Sequence, residues 1–140
     1  MNRNVIILED CNAINYLLST VLKKEYNITS VKNCADAMTQ LQSDLKRDLI
    51  ILNIPDTSSD NFELLEHIST SCVLNEIETV VISDSSDENL KNKISELGAS
   101  FFITKPFDPV ILSNKVRDLI KDNPAVPGRK KRFSINMNIF

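Results

Sequence analysis

The 140-residue chain contains no tryptophan, a single histidine and only two glycines. Its three cysteines, Cys11, Cys34 and Cys72, do not form a CxxC motif. With one histidine, His67, and this cysteine spacing, the usual ligand sets for structural zinc cannot be assembled. Free cysteine is among the most buried residue types, so we expect all three thiols to be free and buried.

Long apolar runs are also absent. No segment approaches the roughly 20 apolar residues that cross a bilayer. The early run NVIIL is too short for the apolar region of a signal peptide, so we expect a cytoplasmic chain without a membrane partner. Apolar residues make up 42% of the chain and charged residues 25%, which is typical of a soluble globular protein. A length of 140 residues predicts one domain with a substantial core.

Four of the 16 lysines and arginines fall in one short run, RKKR at residues 129–132. The formal net charge is −3, and removing the +4 of this run leaves −7 for residues 1–128. An acidic body with a short basic run is not typical of a nucleic-acid-binding domain, so we do not expect a nucleic-acid partner.

Short apolar runs alternate with helical patterns five times along the chain. The expected strands cover residues 4–8, 27–31, 48–52, 79–83 and 100–104. Apolar residues at helical spacing follow each one, and the second stripe extends to Leu45. Asn33 and Asp108 are expected N-caps, and Gly98 is expected to end the fourth helix. Strands that are apolar on both faces indicate a parallel sheet covered by helices on each side, which predicts a doubly wound α/β sandwich.

The predicted sandwich ends near residue 121. Two prolines and a glycine mark residues 122–140 as a linker and tail. Within it, residues 133–140 alternate apolar and polar side chains. This segment could add a strand to a sheet edge or a partner, or remain disordered.

Polar side chains follow four of the expected strands, at the edge where doubly wound sheets place their sites. They are Glu9, Asp10, Asn53, Ser83, Asp84 and Lys105. Taken singly, each has an ordinary explanation, since acids before a helix favour its dipole and exposed lysines are solvated. Taken together, acids, a hydroxyl and a lysine that converge on one cleft are typical of a divalent-metal and phosphoryl site.

From about residue 4 to residue 121, the chain resembles the receiver domain of bacterial two-component response regulators. The spacings agree, with 43 residues from Asp10 to Asn53, 30 to Ser83 and 22 more to Lys105. The resemblance implies a flavodoxin-like (βα)5 fold with strand order 2-1-3-4-5. It also implies that the phosphoacceptor position, normally an aspartate, is Asn53.

The resemblance implies roles for the other site residues. Glu9, Asp10 and the backbone carbonyl of Pro55 correspond to Mg²⁺ ligands. Ser83, Lys105 and Pro106 correspond to the phosphate pocket. Phe102 corresponds to the switch aromatic, and without a hydroxyl it should prefer a buried position. Receiver domains exchange signals with a histidine kinase or an output protein, through a face made by helix 4, strand 5 and helix 5. Homodimers are possible on the same face.

Several of these positions depart from the family pattern. An acyl phosphate forms through an ionised carboxylate, so the amide of Asn53 should not accept phosphate. Asp84 stands where the family prefers a small residue, and its charge opposes a phosphoryl group. With one carboxylate lost, Mg²⁺ binding should be near millimolar or weaker. Asn53 could instead accept a hydrogen bond from Lys105 and donate one to Asp10.

Two interpretations follow. The favoured one is a non-enzymatic pseudo-receiver that acts through protein–protein contacts without phosphorylation. The alternative is an active receiver, in which Asn53 is an engineered change or another acid, such as Asp56 or Asp84, accepts phosphate.

Overall fold

A computed structural model describes residues 3–121, which contain five strands and five helices. The strands are β1 (Arg3–Leu8), β2 (Tyr26–Val31), β3 (Leu49–Asn53), β4 (Glu78–Ser83) and β5 (Phe101–Thr104). The helices are α1 (Asn12–Leu22), α2 (Cys34–Leu41), α3 (Asp60–Thr70), α4 (Glu88–Glu96) and α5 (Pro109–Lys121). All strand pairs are parallel, and the order is β2-β1-β3-β4-β5. The doubly wound flavodoxin-like fold predicted from the sequence is confirmed.

Apolar side chains cover both faces of this sheet. In β3, Ile50 and Leu52 point toward the layer of α2, α3 and α4, whereas Leu49 and Ile51 point toward α1 and α5. All four side chains are at most 1% exposed. Because side chains alternate along a strand, slipping β3 by one residue would move every one of them to the opposite layer. Packing on both faces therefore fixes the register that aligns the strand ends.

The helix boundaries follow local signals in the sequence. Asn33 accepts a hydrogen bond from the Asp36 N–H at 2.8 Å, and Asp108 accepts one from the Val110 N–H at 2.8 Å. Gly98 follows α4 with a φ of 89°, a conformation that glycine adopts without a steric penalty. The predicted caps of α2 and α5 and the predicted end of α4 are confirmed.

Two expectations from the sequence are wrong. The second helix ends at Leu41, and Leu45 is 52% exposed, because the Ser43 hydroxyl donates back to the Gln40 carbonyl and turns the chain outward. The thiols are not all buried. Cys11 precedes α1 and Cys72 follows α3, so both lie off the packed faces and are exposed, whereas Cys34 is half-buried. Burial, with the nearby Asp60 and Glu63 carboxylates, raises the pKa of the Cys34 thiol.

The basic run at residues 129–132 and the alternating segment at 133–140 lie outside the described residues. Within residues 3–121, no helix is both long enough and apolar enough to cross a bilayer.

The caps give a first test of the fold. Replacing Asn33 with alanine removes the hydrogen bond to the Asp36 N–H, so we expect the free energy of unfolding to fall by about 1 kcal/mol. Urea denaturation measures the change. Asn92→Ala, at an exposed position within α4, is the control and should not lower stability. Equal stability of Asn33→Ala and the unmodified chain would contradict the cap assignment.

Candidate functional site

The parallel topology brings the carboxyl ends of four strands to one edge. Asn53, the last residue of β3, lies opposite Ile82 of β4, and Ser83 lies opposite Thr104 of β5. The Lys105 N–H donates to the Ser83 carbonyl at 2.8 Å, which carries the ladder one step beyond β5. The side chains that follow β1, β3, β4 and β5 therefore share one cleft.

A buried carboxylate lies at the centre of this cleft. Glu9 is 1% exposed, and its Oε1 lies 3.1 Å from the Lys105 Nζ. This contact is an ion pair without hydrogen-bond geometry, because Oε1 accepts no hydrogen bond from the described residues. The other oxygen, Oε2, accepts a hydrogen bond from the Cys11 N–H at 3.0 Å. A carboxylate removed from water in this way needs a counter-charge, and Lys105 supplies it to Glu9.

A buried amide fixes the backbone of Glu9. The Asn15 side chain, on α1, donates to the Glu9 carbonyl at 2.9 Å. Asn15 is 6% exposed, and the Ser19 hydroxyl donates to its side-chain oxygen at 3.3 Å. This residue was not found from the sequence, where a polar position within an apolar helical stripe is the only signal.

Lys105 contacts a second carboxylate more weakly. Its Nζ lies 3.9 Å from the Asp84 Oδ1, and Asp84 is 71% exposed whereas Lys105 is 15% exposed. Exposed ion pairs contribute at most about 1 kcal/mol and are screened by salt. Glu9 is therefore the strong partner of Lys105, and Asp84 is the weak one.

Asn53 does not make the contacts expected from the sequence. Its Oδ1 is buried but accepts no hydrogen bond from the described residues, so the predicted bond from Lys105 is wrong. The structure gives no bond from its NH₂ to Asp10 either. The physical reason is charge, because an ammonium is attracted more strongly to the ionised Glu9 than to a neutral amide oxygen.

The loop between β3 and α3 is held by its own side chains. Asn61 donates to the Asn53 carbonyl at 2.7 Å, which ties the first turn of α3 to the end of β3. Asp56 accepts hydrogen bonds from the Ser58 hydroxyl at 2.7 Å and the Ser58 N–H at 2.9 Å, and these bonds lower the pKa of its exposed carboxyl. Asn61 was not identified as a site residue from the sequence, because its partner is a backbone carbonyl eight residues earlier in the chain. Pro55 is exposed in this loop.

The two positions that the resemblance implies as switch residues, Ser83 and Phe102, are both buried. Ser83 is fully buried, and its hydroxyl oxygen accepts a hydrogen bond from the Ser85 N–H at 3.1 Å. Phe102 is 7% exposed and belongs to the apolar layer that includes Leu90 of α4. The expectation that Phe102 is buried is confirmed. Pro106 follows Lys105 and is exposed.

The oxygen atoms of the cleft fit a magnesium ion only in part. Asn53 Oδ1 is a buried acceptor without a donor, and Asp10 is exposed. Glu9, however, is already engaged by Lys105. Among residues 3–121, no group of three His, Cys, Asp or Glu side chains is placed to hold a metal. Asp10, Asn53 and the Pro55 carbonyl remain as the atoms that could contact Mg²⁺, which prefers oxygen ligands and keeps several waters.

The fold agrees with the comparisons with known proteins. The sequence model of the response regulator receiver domain family matches residues 5–117 of this chain. The chain therefore belongs to the response regulator receiver domain family, whose members are signalling modules of two-component systems. Receiver domains commonly bind Mg²⁺ at their phosphorylation site and interact with histidine kinases and output domains.

The curated relatives are longer than this chain, which spans only part of each. It is 30% identical over 118 residues to the transcriptional regulatory protein KdpE of Staphylococcus aureus, which covers 84% of this chain and 49% of that protein. It is 26% identical over 119 residues to the response regulator RR06 of Streptococcus pneumoniae, covering 84% of this chain and 53% of that protein. The chain thus spans about half the length of these relatives. Another relative, at 27% identity, is a protein-glutamate methylesterase/protein-glutamine glutaminase of Halalkalibacterium halodurans.

Solved structures show the same fold. The signal receiver domain of a histidine kinase from Syntrophus aciditrophicus superimposes with a TM-score of 0.77 at 25% identity, over 92% of this chain and 98% of that one. A CheY-like receiver domain protein from Methanospirillum hungatei superimposes with a TM-score of 0.78 at 16% identity. The superposition covers 88% of this chain and 97% of that one.

The ion pair in the cleft gives a second prediction. Glu9→Gln leaves Lys105 with only the weak Asp84 contact, so we expect a loss of about 2 kcal/mol of unfolding free energy, less than is typical of a fully buried pair. Asp10→Asn is the matched control at the next position. Its melting temperature in metal-free buffer should be unchanged or higher, because the change relieves like-charge repulsion. A clear loss of stability in Asp10→Asn, or none in Glu9→Gln, would contradict the assignment.

Proposed function

We propose that this chain is a receiver module that signals through protein–protein contacts without accepting phosphate at residue 53. One observation carries the proposal. The phosphoacceptor position is the carboxamide of Asn53, and the lysine beside it is already paired with Glu9. The module comprises residues 1–121, and residues 122–140 serve as a linker and tail.

The chemistry of residue 53 supports this proposal. An aspartyl phosphate forms by attack of an ionised carboxylate, and an amide oxygen carries no formal charge and is a very poor nucleophile. Of the nearby acids, Asp56 uses Oδ1 to accept two hydrogen bonds from Ser58 within its own loop. These bonds stabilise the loop, and within residues 3–121 no lysine forms an ion pair with Asp56 to assist phosphoryl transfer.

Phosphorylation at Asp84 is the second candidate. Its carboxylate lies 3.9 Å from Lys105 Nζ and is 71% exposed, so a donor could reach it beside a positive charge. An active receiver of this kind would accept phosphate at the end of β4 and not of β3. The same alternative, an active receiver, also holds if Asn53 is an engineered replacement of the phosphoacceptor aspartate.

Metal binding in the proposed module is weak. Two of the three carboxylates of a typical receiver site are missing or engaged, since residue 53 is an amide and Glu9 pairs with Lys105. With Asp10 as the remaining charged ligand, we expect Mg²⁺ affinity near millimolar or weaker.

The proposed partner is a histidine kinase or an output protein that docks on the face of α4, β5 and α5. At the start of α5, Val110 is 63% exposed and Ile111 is 55% exposed. Lys115 lies over the Phe101 ring at 5.3 Å from its centre, a geometry that joins α5 to β5. Apolar side chains beside a charged group suit a protein partner, including a second copy of this chain. The proposed setting is the cytoplasm, and the module has no enzymatic activity of its own.

Binding of a phosphate analogue tests the proposal directly. In the unmodified chain, beryllofluoride with Mg²⁺ should leave the amide resonances around Ser83 and Lys105 unchanged, because no carboxylate is present at residue 53 to hold the analogue. Two-dimensional NMR of the labelled protein makes the measurement, and Asn53→Asp serves as the responsive comparison. Large shifts in the unmodified chain would show that the pocket still binds the analogue and would overturn the proposal.

Restoring the chemistry should take more than one substitution. Asn53→Asp returns the nucleophile and should strengthen Mg²⁺ binding, but Asp84 still opposes the phosphoryl oxygens. Unscreened repulsion at about 4 Å would be about 4 kcal/mol at an effective dielectric of 20. Because Asp84 is 71% exposed, we expect about 1 kcal/mol, or roughly fivefold.

The measurement is labelling by acetyl phosphate, followed by mass spectrometry. Asn53→Asp with Asp84→Ala should label about fivefold faster than Asn53→Asp alone. Equal rates would show that Asp84 does not oppose the phosphoryl group. Labelling of the unmodified chain that disappears in Asp84→Ala would favour the second candidate.

A further inference from the structure

The loop between β4 and α4 is built from short-range contacts and one contact across the cleft. The Ser83 hydroxyl oxygen accepts a hydrogen bond from the Ser85 N–H, and the Ser85 hydroxyl oxygen accepts one from the Asp87 N–H, both at 3.1 Å. Asp87 in turn caps α4 by accepting a hydrogen bond from the Asn89 N–H at 3.2 Å. Asp84 instead reaches toward the next strand, where its carboxylate meets Lys105.

The two side chains of this cross-cleft contact differ in burial and in the number of their contacts. Lys105 is fixed at its backbone by the hydrogen bond to the Ser83 carbonyl and at its ammonium by Glu9. Asp84 is 71% exposed and has no second anchor for its carboxylate among the described residues. Lys105 is therefore anchored by two further contacts, whereas the carboxylate of the loop has only this one contact among the described residues.

We propose that Asp84 is a positioning residue, a carboxylate tether that holds the β4–α4 loop against Lys105. The inference rests on the proposed function, because a held loop supplies a fixed state of the α4–β5 face without phosphate. A covalently attached anion meets the lysine at a high effective concentration, so it holds the loop without any ligand from solution. The tether acts through Lys105 and does no chemistry itself.

The loop position bears on the partner-binding face through packing. Leu90, in the first turn of α4, is 3% exposed and belongs to the same apolar layer as Phe102 of β5. A loop that swings away from Lys105 would carry the start of α4 with it and loosen this packing. The charge at residue 84 therefore influences a surface to which it contributes no apolar contact.

Among the described residues, the other polar side chains of the loop form no hydrogen bond or ion pair with Lys105. Ser85 and Asp87 satisfy backbone N–H groups within the loop and at the start of α4. Glu88 is an exposed acid at the first position of α4, so it carries the same charge as Asp84 four residues further along the chain but forms no ion pair with Lys105. Glu88→Gln is accordingly the matched control for Asp84→Asn.

Amide hydrogen exchange of the full chain tests the tether. In Asp84→Asn, the amides of residues 84–89 should exchange about 1.5- to fivefold faster than in the unmodified chain at low salt, the range for one exposed ion pair. Glu88→Gln should leave the exchange unchanged, and Asp84→Glu should restore protection. At 1 M NaCl, where the screening length is about 3 Å, the unmodified chain should approach Asp84→Asn. NMR resolves the individual amides, and the melting temperature checks that each variant folds.

Several outcomes would overturn the tether. These are equal exchange of Asp84→Asn and the unmodified chain at low salt, an equal effect of Glu88→Gln, or protection that does not depend on salt. The proposed function fails by a different result, since it is contradicted by analogue binding or phosphate labelling of the unmodified chain. A chain that labels but loses loop protection in Asp84→Asn would keep the tether and lose the proposed function.

Discussion

The buried contact between Glu9 and Lys105 is the interaction on which the site depends. Glu9 is withdrawn from water and needs a counter-charge, and Lys105 is the cation that the strand ends bring within reach. In a cleft with a carboxylate at residue 53, that carboxylate would compete for the same ammonium. With an amide there, the pairing with Glu9 is uncontested, and the Oδ1 of Asn53 is left without a donor among the described residues. We therefore expect the charge of residue 53 to influence which partner Lys105 takes, and an aspartate there to cause a rearrangement of the cleft.

The sheet supplies the constraint that makes this rearrangement possible. Packing on both faces fixes the register of β3, and the parallel order then aligns the ends of β1, β3, β4 and β5. The scaffold keeps the geometry of a receiver domain whether or not residue 53 can react. We therefore interpret the cleft as a structural junction: it joins β1 to β5 through Glu9 and Lys105, and β4 to β5 through Asp84. A junction of this kind suits a module that presents one surface to a partner.

Much of the fold could be predicted from the sequence because it depends on local and periodic signals. Continuous apolar runs revealed the buried strands, and Asn33, Asp108 and Gly98 marked helix ends through backbone chemistry. The failures have physical causes as well. Leu45 continued a helical stripe in sequence, but Ser43 ends the helix earlier. The partner of Lys105 depends on which acceptor carries charge at 3 Å, and spacing along the chain does not report it. Asn15 and Asn61 act on the site through hydrogen bonds to the backbone carbonyls of Glu9 and Asn53, and a backbone carbonyl leaves no sign in the sequence of which side chain will bond to it.

The most direct test of this account is a double-mutant cycle on the pair, with Glu9→Gln, Lys105→Met and the double variant compared by urea denaturation. If Glu9 and Lys105 stabilise each other as the structure shows, the losses of unfolding free energy in the two single variants should not be additive in the double variant. The coupling free energy should be at least about 1 kcal/mol, and the double variant should be more stable than the sum of the single losses implies. A coupling free energy near zero would mean that the lysine is not held by Glu9, and the account of a cleft organised without phosphate would be contradicted.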